Sequence, residues 1–166
     1  AARRAAGALH PADADLSWMD CLANQQLVID YEGEAAHAAA APHRGRNALD
    51  AAVLGYVNVA ALRQHIRPTE RIHGIFTHGG DKPNIVPHRA AMLWYVRSDT
   101  VEALQPLKAR VLACLEAGAT AAGCTCSWEW EDHPYADMLD SAPVLAAYRA
   151  NSARLGREVR DPDPSR

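Results

Sequence analysis

Apolar and polar positions along the chain fall into short alternating stretches, as in half-buried strands, separated by longer stretches at helical spacing. From Leu22 to Glu32, Leu27, Ile29 and Tyr31 alternate with Val28, Asp30 and Glu32, predicting a strand that Gly33 ends. Asn47 is a good helix N-cap, with Asp50 three residues on. Leu49, Val53, Tyr56, Val57 and Ala60 then recur on one helical face, with Pro68 as the outer limit. Arg71 to Thr77 reads as a second strand, broken by Gly79 and Gly80. Ala91 to Ser98 reads as a third, with Met92, Trp94 and Val96 on one face and Leu93, Tyr95 and Arg97 on the other. A second helix starts at Asp99–Thr100, carries the stripe Val101, Leu104, Leu107, Val111, Leu112 and Leu115, and stops at Gly123. Cys124 to Glu131 alternates strictly, with Cys124, Cys126, Trp128 and Trp130 expected to face inward.

The order strand–helix–strand–strand–helix–strand over about residues 22–132 predicts an α+β, ferredoxin-like βαββαβ fold, an antiparallel sheet with two helices on one face. A further helix is expected over Val144 to Leu155, followed by a charged, proline-rich end.

At 166 residues, the chain suits one domain or one domain with pieces of another. Nearly half the residues are hydrophobic, mostly alanine, which favours helices and close packing. The net charge is −3 with both signs interspersed, and no basic stripe with interleaved aromatics marks a nucleic-acid surface. No apolar run has the length of a membrane span, and the N-terminal residues have no signal-peptide core. Cys21, Cys114, Cys124 and Cys126 fit no zinc-finger spacing and read as buried reduced thiols, which suits a cytoplasmic protein.

The candidate chemistry gathers around GEAAHAAAAPHRGRNALDA, residues 33–51. It sets His37 in a run of small residues, followed by a Pro42–Gly45 turn and the Asn47 helix start, so a second surface or a substrate could approach the ring closely. The loop HGGDKPNIVP contains Gly79, Gly80 and Asn84 and is too irregular for a plain hairpin. Arg97 ends a strand where a guanidinium could grip a carboxylate in a bidentate fork. Each has an ordinary reading as well: an exposed loop histidine, a turn asparagine, strand-ending glycines and a solvated strand-end arginine.

Together, GEAAHAAAAPHRGRNALDAA, HGIFTHGGDKPNIVP and LWYVRS resemble the lid, or dimerisation, domain of the co-catalytic zinc metallopeptidases (metallopeptidase family twenty). That family includes aminoacylases, carboxypeptidase G, aminobenzoyl-glutamate hydrolases and Xaa-Arg dipeptidases. The resemblance implies residues 22–132 as the lid domain, residues 1–21 as a remnant of a catalytic domain, and residues 133–166 as a return segment and helix of that domain. It implies a metal-dependent amidohydrolase acting on a dipeptide or an N-acyl amino acid, with two divalent ions, zinc or manganese, in the whole enzyme. His37 matches the lid histidine that donates to the reaction's oxyanion across a two-fold dimer. Asn84, Arg97, Gly79 and Gly80 match substrate-carboxylate contacts, and His10 matches a zinc ligand. An H-x-D pair, a bridging aspartate and a Glu-Glu pair are absent from the sequence, so the 166-residue chain alone is expected to be inactive. A homodimer through an edge strand and its neighbouring helix is expected, because open sheet edges invite pairing. The alternative is a non-enzymatic ferredoxin-like module that dimerises or binds a small anion.

Overall fold

The computed structural model describes residues 14–19, 21–131 and 133–162. β1 (Ala23–Glu32), α1 (Ala48–Leu62), β2 (Arg71–His78), β3 (Arg89–Ser98), α2 (Val101–Ala121) and β4 (Thr125–Trp130) follow one another, and α3 (Ala142–Arg154) comes last. The strands form one sheet in the order β2-β3-β1-β4, every neighbouring pair antiparallel. This is the ferredoxin-like α+β arrangement expected from the element order. Contacts divide the chain into two compact bodies, residues 22–137 and the described parts of the two terminal segments. In the terminal body Leu16 bridges Arg160, Asp15 pairs with Arg157, and the Ser17 hydroxyl donates to Asp161 at 2.7 Å.

The two central strands carry the cleanest alternation because both of their flanks are paired. β1 buries Leu27, Ile29 and Tyr31 completely, and β3 buries Met92, Trp94 and Val96. Two helices contribute to the same hydrophobic core. α2 follows its expected stripe, burying Leu104, Leu107, Val111 and Leu115. The Thr100 hydroxyl accepts from the Ala103 N–H to start α2, and Gly123 follows its end at φ +66°.

α1 departs from the expected stripe. It buries Ala48, Ala51, Ala52, Gly55 and Val59, while of the expected stripe Leu49 and Tyr56 pack against the core and Val53 and Val57 are exposed. The reason is the closeness of the α1–α2 crossing. A Cβ on Gly118 of α2 would lie 2.4 Å from the Ala51 carbonyl oxygen and 2.5 Å from the Gly55 nitrogen. Only small residues fit a seam of that kind, so the largest apolar side chains of α1 point elsewhere. Tyr56 instead anchors α1 over the β2 side of the sheet, with ring centroids 5.8 Å from Phe76 and 5.4 Å from Trp94.

The inward placement of the β4 tryptophans holds for Trp130, which packs against the core, and needs correction at Trp128. β4 is an edge strand, covered on one flank only. Trp128 is 43% exposed, with its indole N–H donating to Glu116 at 3.0 Å, and Trp130 is half-buried under the Lys108 ammonium, 4.3 Å from its ring centroid.

Candidate functional site

His37 sits in a loop that is closed at its base. Glu34 and Arg46 exchange both backbone hydrogen bonds, at 2.8 and 2.9 Å, and their side chains pair at 2.7 Å. This base needs glycine at Gly33, where a Cβ would stand 2.0 Å from the Arg46 carbonyl oxygen. Gly45 is constrained in the same way, its Cβ falling 2.9 Å from Val86. The loop runs into α1 through Asn47, whose side-chain oxygen accepts from the Leu49 and Asp50 N–H groups at 2.9 and 3.3 Å.

A second tie joins this loop to the one between β2 and β3. His37 and Ile85 form an antiparallel bridge, with Ala38 N–H donating to Asn84 O at 3.0 Å and Val86 N–H donating to Ala36 O at 2.9 Å. His37 and Asn84 are therefore held beside each other, and both are exposed. The His37 Nδ1 accepts from the Ala40 and Ala39 N–H groups at 3.1 and 3.3 Å. With Nδ1 occupied as an acceptor, the neutral ring carries its proton on Nε2 and is an outward-facing donor.

The two candidate glycines differ. Gly80 adopts φ +103°, and a Cβ there would stand 2.9 Å from Pro87, so its position requires glycine. At Gly79 a Cβ would make ordinary contact with Leu49 at 3.5 Å. The loop is fastened by Ala48 N–H donating to Pro87 O and Gly33 N–H donating to His88 O, each at 2.8 Å.

Arg97 lies at the opposite end of the sheet. It is the register partner of Asn24 and Arg71, and its guanidinium is 5.5 Å from the Tyr95 ring centroid. Eight residues separate it from Arg89 at the His37 end of β3, roughly 26 Å of strand. One copy of the chain thus brings the His37 and Asn84 segments together, carries Gly79 and Gly80 on the same β2–β3 loop as Asn84, and leaves Arg97 apart. His10 lies outside the described residues. Among the described residues, no group of three or more His, Cys, Asp or Glu could hold a metal ion. They do not fit a two-metal centre, and no step is assigned through one. No helix among them is long and apolar enough to cross a membrane. Burial pushes the thiols of Cys114, Cys124 and Cys126 up from their ordinary values.

Reading the sequence assigned no site role to Gly33, Gly45 or the Glu34–Arg46 clamp. Their signal is the pair of glycines flanking the histidine run, one on each side of the loop's base.

The peptidase dimerisation domain of the M20 family matches residues 25–121. A mouse Xaa-Arg dipeptidase is 40% identical over 149 residues, covering 90% of this chain and 35% of that protein. A p-aminobenzoyl-glutamate hydrolase component from Escherichia coli K12 is 35% identical, covering 68% of this chain and 26% of that one. The crystal structure of an aminobenzoyl-glutamate utilization protein from Klebsiella pneumoniae superposes with a TM-score of 0.72 at 22% identity, covering 92% of this chain and 38% of the other. The chain spans about a third of the length of the curated Xaa-Arg dipeptidases it matches.

Proposed function

This chain belongs to the M20 peptidase family through its dimerisation domain, and we propose that it is the lid and dimer-forming part of a metal-dependent amidohydrolase that cleaves a dipeptide or an N-acyl amino acid. The similarity to Xaa-Arg dipeptidases and to an aminobenzoyl-glutamate hydrolase supports that substrate class. The two divalent ions, zinc or manganese, and the general base belong in this proposal to the whole protein, and they supply the activated water. The free thiols of Cys21, Cys114, Cys124 and Cys126 suit a reducing cytoplasm.

The observation that carries the reading is the state of His37. Attack on an amide carbonyl develops negative charge on its oxygen, which needs a positioned donor. The Ala39 and Ala40 N–H groups hold Nδ1, so Nε2–H is the donor this loop offers. Asn84, whose backbone carbonyl ties its segment to the His37 loop, carries a neutral amide donor for a substrate carboxylate, and Arg97 is a charged one.

The separation of Arg97 from His37 has a simple resolution in a two-fold dimer. Antiparallel pairing of the β2 edges would reverse the partner's sheet and bring its Arg97 end toward this copy's His37 loop. Ile75 and Phe76 on β2, and Val53 and Val57 on α1, expose apolar surface suited to such a contact.

The test is complementation between protomers in the whole protein. His37→Ala is expected to lower kcat about 10²–10³-fold, the usual loss for one oxyanion donor. Arg97→Ala is expected to act on KM as well. A mixed dimer of the two variants is expected to regain activity, because one of its two sites then holds an intact His37 and an intact Arg97. Failure of the mixed dimer to recover would overturn the shared site. Metal-dependent dipeptide hydrolysis by the 166-residue chain alone would overturn its assignment as only a part of the catalytic unit.

A further inference from the structure

A cavity of about 530 Å³ opens between the end of α1 and the start of β2. We propose that it binds a compact oxyanion of the phosphate class, such as the head of a phosphate monoester. The argument begins with charge. Although the chain carries a net charge of −3, this cavity is lined by Arg63, Arg67 and Arg71 against a single carboxylate, Glu70. Elsewhere Arg46, Arg89, Arg149, Arg157 and Arg160 each pair with an aspartate or glutamate, and arginines such as Arg44 and Arg154 stand unpaired among the described residues but singly, whereas three guanidiniums line this one cavity. The three cavity arginines form no such salt bridge among the described residues; the one further acidic neighbour there is Asp99, whose carboxyl is held down chiefly by the Ser98 hydroxyl and to a lesser degree by the Arg67 charge. Glu70 is buried and its Oε2 accepts from the Arg67 backbone N–H at 2.8 Å, so it holds the turn together without bonding to a guanidinium.

Two of the guanidiniums are positioned in advance. Arg63 donates through Nε to the Ile72 carbonyl at 3.1 Å, with its guanidinium carbon 5.5 Å from the Tyr56 ring centroid and 5.9 Å from that of Trp94. This leaves its two terminal amino groups without a partner among the described residues. Arg71 is pinned through Nη1 to the carbonyls of Pro68 and Glu70. Cations near a helix C-terminus are favoured by its dipole, but Arg63 spends its bond on β2 rather than on the last carbonyls of α1. Planar guanidinium forks match tetrahedral oxyanions, and groups held before the ligand arrives lose little freedom on binding. The cavity is larger than one phosphate, and the apolar walls of Ile66 and Ile72 leave room for a small organic body attached to it.

Inorganic phosphate is the probe, titrated calorimetrically into the 166-residue chain with ionic strength held constant by sodium chloride. Saturable binding at one site per chain is expected, because phosphate offers separate oxygens to separate forks and carries more charge than chloride. Arg67→Gln is the decisive variant, since the Arg67 side chain is exposed and makes no hydrogen bond among the described residues. It is expected to weaken phosphate binding by about tenfold or more, the scale of one lost charge-assisted contact. Arg63→Ala is expected to weaken it as well, with far-UV circular dichroism checking that the loss of packing on Tyr56 leaves the fold intact. Arg89→Ala, at the opposite end of β3 and paired with Asp30, is expected to leave it unchanged, which separates this site from a general effect of surface charge. Absence of saturable heat, full affinity in Arg67→Gln, or equal loss in Arg89→Ala would each overturn the assignment.

Discussion

Replacing Gly118 by alanine sets local preference against packing. Gly118 lies inside α2, where alanine is the better helix former by about 1 kcal/mol. On that ground the change stabilises. The new Cβ, however, would stand 2.4 Å from Ala51 O, 2.5 Å from Gly55 N and 2.9 Å from Gly55 Cα, all main-chain atoms of α1. No side-chain rotation relieves a clash with backbone. Ordinary contact starts at 3.4 Å, so the helices must separate by about 1 Å (3.4 − 2.4). Overpacking of this kind costs about 1–3 kcal/mol, and it loosens the α1–α2 seam along its length. Set against the propensity gain, the expected net effect is a destabilisation of up to about 2 kcal/mol. With a urea slope of about 2 kcal/mol/M, the midpoint should fall by up to about 1 M. Urea unfolding followed by far-UV circular dichroism measures it directly. Gly79→Ala is the control, since its Cβ would meet only Leu49, at 3.5 Å, and it should leave the midpoint near the wild-type value. A Gly118→Ala midpoint at or above wild type would mean that the crossing is not backbone-limited, and the account of α1's buried face would fail with it.

Burial, with a smaller effect of Cys126, holds the Tyr31 phenol well above the usual tyrosine range, and its hydroxyl donates to Leu115 O at 3.2 Å. The folded state keeps a proton that the unfolded chain releases, so this contribution to stability is complete below about pH 10 and is lost as the pH rises toward the folded value. The buried thiols of Cys114, Cys124 and Cys126 act in the same direction. Thermal melts of Tyr31→Phe should therefore show a shallower alkaline decline than wild type, and an unchanged slope would refute the assignment. Long-range proton–nitrogen NMR on His37 should find the Nε2–H tautomer dominant once the ring is neutral; a ring protonated mainly on Nδ1 would contradict the Ala39 and Ala40 hydrogen bonds. Light scattering should find a dimer, and Ile75→Lys or Val57→Lys, at positions 60% and 55% exposed, should shift it to monomer. A dimer that survives both substitutions would move the interface away from β2 and α1.

Much of the fold was legible along the chain because strand and helix periodicities are local. Leu27, Ile29 and Tyr31, and Met92, Trp94 and Val96, alternate in the sequence as they do in the sheet. Caps and stops at Asn47, Thr100 and Gly123 work through neighbours only a few residues away. Where periodicity misled, distance between elements was the reason. In α1 the largest apolar residues were expected to be buried, yet the close crossing with α2 selects alanine and glycine. At Trp128, alternation is preserved, but β4's place at the sheet edge leaves the indole partly open.

The sequence by itself determined the order of elements, the alternating faces of the central strands and the motif around His37, since all of these depend on neighbours in the chain. The local turn at Ala39 and Ala40 decided which nitrogen of His37 is left to donate. Tertiary structure alone decided that Asn84 lies in the segment beside it and that Arg97 stands at the far end of the sheet. Those facts follow from hydrogen bonds and register between segments far apart in sequence, such as His37 with Ile85. Spacing along the chain carries no information about which segments will meet.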